Sequence, residues 1–408
     1  MSNAKEPTIS FDMPLEKFLS TCMLVPIGDP LAESCIWGLP VMLHGSPGIA
    51  KTARIHQASD AVGLSCMAVE LGGRQPEDAG GAPFVTKNSQ GQDMIVIACI
   101  LPAINELNAM GRGVLFLDEL TCGRPATQGA FLTCVQERRV GDTKFSPKIR
   151  IVCAGNPPNE SAGGYTLQLP MANRMAHRDV SPPSVEEFTT YLIQGPSKSG
   201  ESIEEGERIV TEAWSDHYPV TVGHIAGFLK QFPQHLFCIP KQGHPARGKA
   251  FPTHRTMDYA TRAVATARIL HRDVSEQTEL FASCVGAAAA SDFDTWVQES
   301  RLPDPVSVLQ EGWKPDKTRL DRTHAVYAGM IAYVLGRQKK EDRLDLAPLA
   351  WKRLSDLIDS GIPDVGLPHA RALMRAGFSS KASKEVAEAS RPVSLYYGRK
   401  GFQDLVEP

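Results

Sequence analysis

Gly45-Ser46-Pro47-Gly48-Ile49-Ala50-Lys51-Thr52 decides how this chain is read. Pro40 to His44 (PVMLH), just before it, reads as a short buried strand, and Thr52 to Val62 reads as a helix. A glycine-rich turn between strand and helix lets backbone N–H groups converge on phosphate oxygens. The helix N-terminus adds a partial positive charge. Lys51 can reach the outer phosphates, and the Thr52 hydroxyl can ligate Mg²⁺. Gly45, Ser46, Pro47, Gly48, Ile49, Ala50, Lys51 and Thr52 are therefore the candidate ATP-binding residues. Ala50 stands where such loops usually carry a last glycine. Its methyl is tolerated if the residue has already entered the helix and needs no positive φ.

A second segment completes the pattern. In Gly113-Val114-Leu115-Phe116-Leu117-Asp118-Glu119, four apolar residues form a buried strand and two acids stand at its carboxyl end. Open α/β sheets bind ligands at that end. Asp118 is expected to hold Mg²⁺ and Glu119 to polarise an attacking water as general base.

Outward from these two segments, Met67 to Leu71, Ile149 to Ala154 and His177 to Val180 read as further strands. Leu101 to Met110 and Thr127 to Glu137 read as helices. Continuous apolar strands alternating with helices predict a doubly wound parallel sheet covered on both faces. Phe84 to Cys99 and Val140 to Lys148 break that rhythm and read as inserted hairpins. After Ser184 the strand signal fades. A polar linker is expected at 196–206, then helices at Glu207 to Trp214, Val222 to Gln231, Arg255 to Arg272 and Glu276 to Glu299. Ile239 to Thr253 reads as a Pro/Gly-rich loop. Leu302-Pro303-Asp304-Pro305 marks a boundary, and three helices are expected beyond it, at Arg322 to Leu335, Leu346 to Asp359 and Pro368 to Ala376.

Composition narrows the function classes. The 408 residues carry 43 Lys and Arg against 46 Asp and Glu, a net charge of −3, so no chain-wide field draws the protein onto DNA or an anionic membrane. The nine cysteines form no C-x-x-C pair and argue for a reducing, cytoplasmic setting. No apolar run approaches the ~20 residues that span a bilayer. Ser2-Asn3-Ala4 reads as a cloning scar.

The motifs together resemble the MoxR group of AAA+ ATPases. The resemblance rests on GSPGIAKT, on VLFLDEL, on Pro125-Ala126-Thr127-Gln128 leading to Gln136-Glu137-Arg138-Arg139-Val140, and on Ala154-Gly155-Asn156-Pro157-Pro158. It covers roughly residues 30 to 295. It implies an α/β AAA+ domain over 5–183, an all-helical lid over 184–296 and a helical extension over 297–408. It also implies that Asn156 is the sensor-1 amide, which donates to the γ-phosphate or orients the lytic water. Arg174 matches the arginine finger, with Arg178 as the competitor for that role, and Arg255 matches the sensor-2 arginine. A finger acts on a neighbouring subunit, so a homo-oligomeric ring, most often a hexamer, is implied. By the same analogy the chain is a chaperone-like remodeller of a partner protein, one with a von Willebrand factor A domain. The alternatives are a nucleic-acid-associated ring motor and the ATPase of an anti-phage defence system.

Other signals are weaker. Residues 241–273 hold seven Lys and Arg against two Asp, yet only Phe251 and Tyr259 could stack on bases, which favours a solvated loop over a nucleic-acid surface. His44, His56 and His177 read as isolated histidines without metal spacing, and Cys134 and Cys153 as core residues. Tyr396 to Lys400 reads as an exposed tail or a packed one. The two hairpins are expected to contact substrate or partner.

Overall fold

A computed structural model describes residues 12–157, 160, 164–194, 202–379 and 381–399. The scar at 2–4, Pro158, the first part of the expected linker (196–201) and Lys400 lie outside the described residues.

By contacts the chain divides into two compact units, 1–211 with 237–291, and 212–236 with 292–408. These limits differ from the boundaries expected at 183/184 and 296/297.

In the first unit, α1 (Leu15–Met23), β1 (Pro26–Ile27) and β2 (Ile36–Trp37) lead into β3 (Val41–His44). Then come α2 (Lys51–Ala61), β4 (Cys66–Glu70), α3 (Pro76–Gly80) and the hairpin β5 (Ala82–Lys87) and β6 (Asp93–Ala98). They are followed by α4 (Pro102–Met110), β7 (Arg112–Asp118), α5 (Pro125–Glu137), the short hairpin β8 (Arg139–Val140) and β9 (Thr143–Lys144), and β10 (Lys148–Gly155). After α6 (Leu169–Ala172) and β11 (Ala176–Asp179) the chain becomes helical, with α7 (Val185–Gln194) and α8 (Ile203–Gln231).

Five strands form one parallel sheet in the order β11-β3-β10-β7-β4. Its centre is largely apolar: Val114 to Leu117 and Ile151 to Ala154 are buried, and the one charge buried beside them in β10, Arg150, is paired with Glu207. Leu107, Phe131, Cys134 and Val135 from α4 and α5 pack with Leu115, Leu117, Ile151 and Cys153 from the strands. The expected α/β class and all five expected strands are therefore present. Because the strands are parallel, the carboxyl ends of all five open on one edge.

The two expected hairpins exist, and they are joined. Asp142 donates its amide N–H to Ile97 O at 2.7 Å, and its carboxylate accepts from Ile97 N–H at 2.8 Å. The β5–β6 blade is apolar and exposed on both faces, with Phe84, Val85, Met94 and Ile95 all open.

The helical part departs from the sequence reading in three places. Glu207 to Trp214 and Val222 to Gln231 are one helix, α8, which runs through Pro219. A proline removes a single N–H donor, and the apolar face on either side of it carries the helix through. The linker also ends early, since residues 203–206 already belong to α8. Conversely, Glu276 to Glu299 is two helices. After α9 (His254–Ile269), α10 (Val274–Val285) stops at Gly286, whose φ of 90° an L-residue rarely adopts, and α11 (Ala287–Ser300) begins beyond it.

Among the described residues beyond 300 there are five helices, where three were expected: α12 (Pro305–Glu311), α13 (Leu320–Leu335), α14 (Lys340–Asp359), α15 (Pro363–Arg375) and α16 (Lys384–Arg399). They share a core around Leu309, Tyr327, Met330, Trp351, Leu354 and Leu373. Tyr397 is buried in it and donates to Pro363 O, so at that position the tail is packed. Among the described residues no helix is long and apolar enough to cross a membrane.

One backbone position tests the sheet. Gly113 lies in β7 with φ 147°, and a Cβ there would come within 2.4 Å of Leu107 Cδ2 and 2.9 Å of Ser65 O. Gly113→Ala is expected to lower the unfolding free energy by roughly 2–4 kcal/mol. A urea midpoint equal to the wild type's would show that β7 can shift to admit the methyl.

Candidate functional site

The carboxyl edge of the sheet gathers the residues singled out in the sequence. His44 ends β3, Glu70 ends β4 opposite Asp118 at the end of β7, and Asn156 follows the end of β10. The loop 45–50 runs from β3 into the N-terminus of α2, with Ser46, Pro47 and Gly48 open to solvent at least in part. Gly45 leaves no room for a side chain, since a Cβ there would meet Ile49 Cδ1 at 2.6 Å and Val180 O at 2.8 Å.

Lys51 is buried, with 8% of its surface exposed. Its ammonium donates to Gly45 O at 2.7 Å, Ser46 O at 2.9 Å and Asn156 Oδ1 at 2.8 Å. Burial pulls its pKa down, against the opposing pull of Asp118, Glu160 and Glu119. The Thr52 hydroxyl donates to Asp118 Oδ2 at 2.9 Å, and Asp118 Oδ1 accepts from the amide of Glu119 at 2.8 Å. A hydroxyl and a carboxylate brought together this way are hard oxygen donors of the kind Mg²⁺ takes. Glu119 has a left-handed backbone, φ 52°. Burial, then Glu70 and Asp118, raise its pKa, which shifts the carboxylate toward a proton acceptor of useful strength.

One expectation about the loop is corrected. Ala50 has not entered the helix. It caps α2 in the left-handed region, φ 62° and ψ 27°. The alanine thus holds a conformation that glycine adopts at no steric cost and that costs an L-residue about 1 kcal/mol.

The arginines fall into separate settings. Arg178 is buried, ion-paired to Glu279 and hydrogen-bonded to Met13 O, so it braces β11 against α10 and is not presented to solvent. Arg174 is half-buried; it donates to Gln136 Oε1 and Pro170 O. Its pKa is lowered by burial and then by the charge of Arg255, which places the two cations in one neighbourhood. A cavity of about 300 Å³ is walled by Leu169, Pro170, Phe237, Ile239 and Phe251 and edged by Arg255. The loop 239–253 sends its Lys249 to the Asp179 carboxylate at the end of β11, 2.6 Å away. Arg247 donates to Pro240 O, and Arg262 pairs with Asp258, so several of the cations counted between 241 and 273 are already engaged with protein acceptors.

Sequence reading missed several supports. His44 and His177, expected to be isolated, are hydrogen-bonded to each other at 2.8 Å. They lie 133 residues apart, so no local pattern announces the pair. Thr121 donates to Asn156 O at 2.9 Å and holds the strand end that carries the amide. Gly72 leaves space for Glu119, whose Oε2 would stand 2.8 Å from a Cβ there. Arg138 is buried and donates to Gly38 O at 2.8 Å and to Ile149 O. With Gln136 holding Arg174, this accounts physically for the Gln136 to Val140 phrase. Among the described residues no group of three or more His, Cys, Asp or Glu has metal-binding geometry.

No protein-family model matches the chain, and no curated protein matches it. Among solved structures it is similar to a "putative ATPase" from Cytophaga hutchinsonii, at 14% identity and a TM-score of 0.42, over 69% of this chain and 87% of that one.

Two measurements test the site as built. Ala50→Gly relieves the left-handed strain and is expected to raise stability by roughly 0.5–1 kcal/mol, read by thermal melting. An unchanged or lower melting temperature would mean that the alanine is not strained. For His177, burial holds the imidazole down at about 4 in the fold, against 6.5 when free. A depressed folded pKa stabilises above the free value and loses that contribution as pH falls from 6.5 toward 4. Between pH 7.5 and 4.5 wild type should lose roughly 2–3 kcal/mol more than His177→Gln in urea unfolding. Equal losses would remove His177 as the titrating group.

Proposed function

We propose that the chain is an ATP-hydrolysing protein of MoxR type within the AAA+ class, acting as a homo-oligomeric ring, most often a hexamer, that remodels a partner protein. The observation that carries this reading is the convergence at one sheet edge of Lys51, Asn156, Thr52, Asp118 and Glu119, with Lys51 bonded to Asn156, and Thr52 and the Glu119 amide both bonded to Asp118. Such an edge is where an open α/β sheet takes a ligand, and the N-terminus of the 11-residue α2 favours an anion there.

In this reading residues 45–52 hold the triphosphate through backbone N–H groups and the Lys51 ammonium. Thr52 and Asp118 hold Mg²⁺, which when bound neutralises charge on the phosphates. Glu119 takes a proton from water as the water oxygen bonds to the γ-phosphorus. The bond from that phosphorus to the bridging oxygen breaks, and ADP departs with the electron pair. Asn156 keeps Lys51 and the water in line. Arg174 is presented to the nucleotide of the next subunit. Arg255 contacts the phosphates as the sensor-2 arginine and couples the lid to the nucleotide state. The exposed apolar blade of β5 and β6 supports a partner-protein client, for which a von Willebrand factor A domain is the family analogy.

Lys51→Ala is expected to abolish ATP binding by calorimetry. Glu119→Gln should bind ATP with near wild-type affinity and lose at least about a hundredfold in turnover. Arg174→Ala should lose about a thousandfold while binding persists. Normal affinity in Lys51→Ala would refute the phosphate site, and unchanged turnover in Glu119→Gln would refute the base.

A further inference from the structure

His44 directly precedes Gly45, the first residue of the phosphate loop, and His177 lies in the neighbouring strand β11. His177 Nε2 lies 2.8 Å from the carbonyl oxygen of Ala172. A carbonyl only accepts, so Nε2 carries the proton and Nδ1 of the neutral ring is left as an acceptor. Nδ1 faces His44 Nε2 at 2.8 Å, so His44 Nε2–H is the donor. Both tautomers follow from that one carbonyl. His177 is 4% exposed, and its pair of hydrogen bonds points one way, from the loop strand toward α6.

Ala172 is the last residue of α6, and Asn173 and Arg174 follow it. Asn173 Oδ1 accepts from the Thr253 hydroxyl at 2.8 Å. Thr253 in turn caps α9, whose second residue is Arg255. A line of directed polar contacts therefore leads from Gly45, through two imidazoles, to the segments that carry both arginines. An apolar pair would fill the same space but would fix neither the α6 carbonyl nor the direction of the contact.

We propose that His44 and His177 are positioning residues that lock the segment carrying Arg174 in register with the phosphate loop of the same subunit. This rests on the reading of Arg174 as the cation given to a neighbouring copy. Neither histidine touches nucleotide; they act through α6.

The test uses full-length chains mixed in pairs. A chain with Lys51→Ala cannot bind ATP but still offers its Arg174, and a chain with Arg174→Ala binds ATP but offers none. The mixture should hydrolyse ATP where either chain alone does not. Adding His177→Phe to the Lys51→Ala chain should cut that rescued turnover about tenfold to a hundredfold, as a misplaced catalytic group does. Adding it to the Arg174→Ala chain should leave the rescue intact. His177→Gln, whose amide can accept from His44 and donate to Ala172, should restore turnover in the first arrangement. Equal loss in both arrangements, or no loss in either, overturns the couple. A mixture with no rescue at all overturns the trans reading, and the couple with it. If His177→Phe does not fold, as read by melting, His44→Leu takes its place in both arrangements, with the same results deciding.

Discussion

A buried ammonium is the constraint around which the first unit is arranged. Lys51 has little access to water, and an ammonium without acceptors at that depth would cost several kcal/mol. Its acceptors come from two places far apart in sequence: the carbonyls of Gly45 and Ser46 at the start of the loop, and the Asn156 amide beyond β10. Holding all three together requires β3 and β10 to be neighbours with matched ends. The register Gly155 to His44 supplies that match. Thr121, itself set by the turn after Glu119, then pins the Asn156 carbonyl. The loop, the acid pair and the amide are thus mutually dependent, and a slip in any strand would leave a charge unpaired.

The sheet was legible because burial on both faces leaves a strong local mark. Val114 to Leu117 and Ile149 to Ala154 cannot be read as amphipathic helices, and the acids at 118 and 119 end the apolar run at the point where the strand meets water. The phosphate loop was legible because it is contiguous. What escaped was conformation and pairing at long range. Ala50 carries no sign of its left-handed backbone, since the sequence shows only that glycine is missing. His44 and His177 meet only because β3 and β11 are adjacent, and Arg178 is set apart from Arg174 by partners distant in sequence, Glu279 from α10 and the Met13 carbonyl.

The helical half was misread for a related reason. Pro219 and Pro368 lie inside helices, where the reading left a gap around the first and began a helix only at the second. The real stop, at Gly286, directly precedes the alanine run 287–290, where helical tendency is strong. In such a stretch one backbone angle decides the break, and composition does not carry it.

The β5–β6 blade turns Phe84, Val85, Met94 and Ile95 outward on both of its faces, anchored at its root by Asp142. Folding gives these side chains no task. Polar replacements there would leave the core untouched and make the isolated chain less prone to stick to itself at high concentration. The colloidal penalty of keeping them is carried by the free protein, and it ends only when the blade is covered.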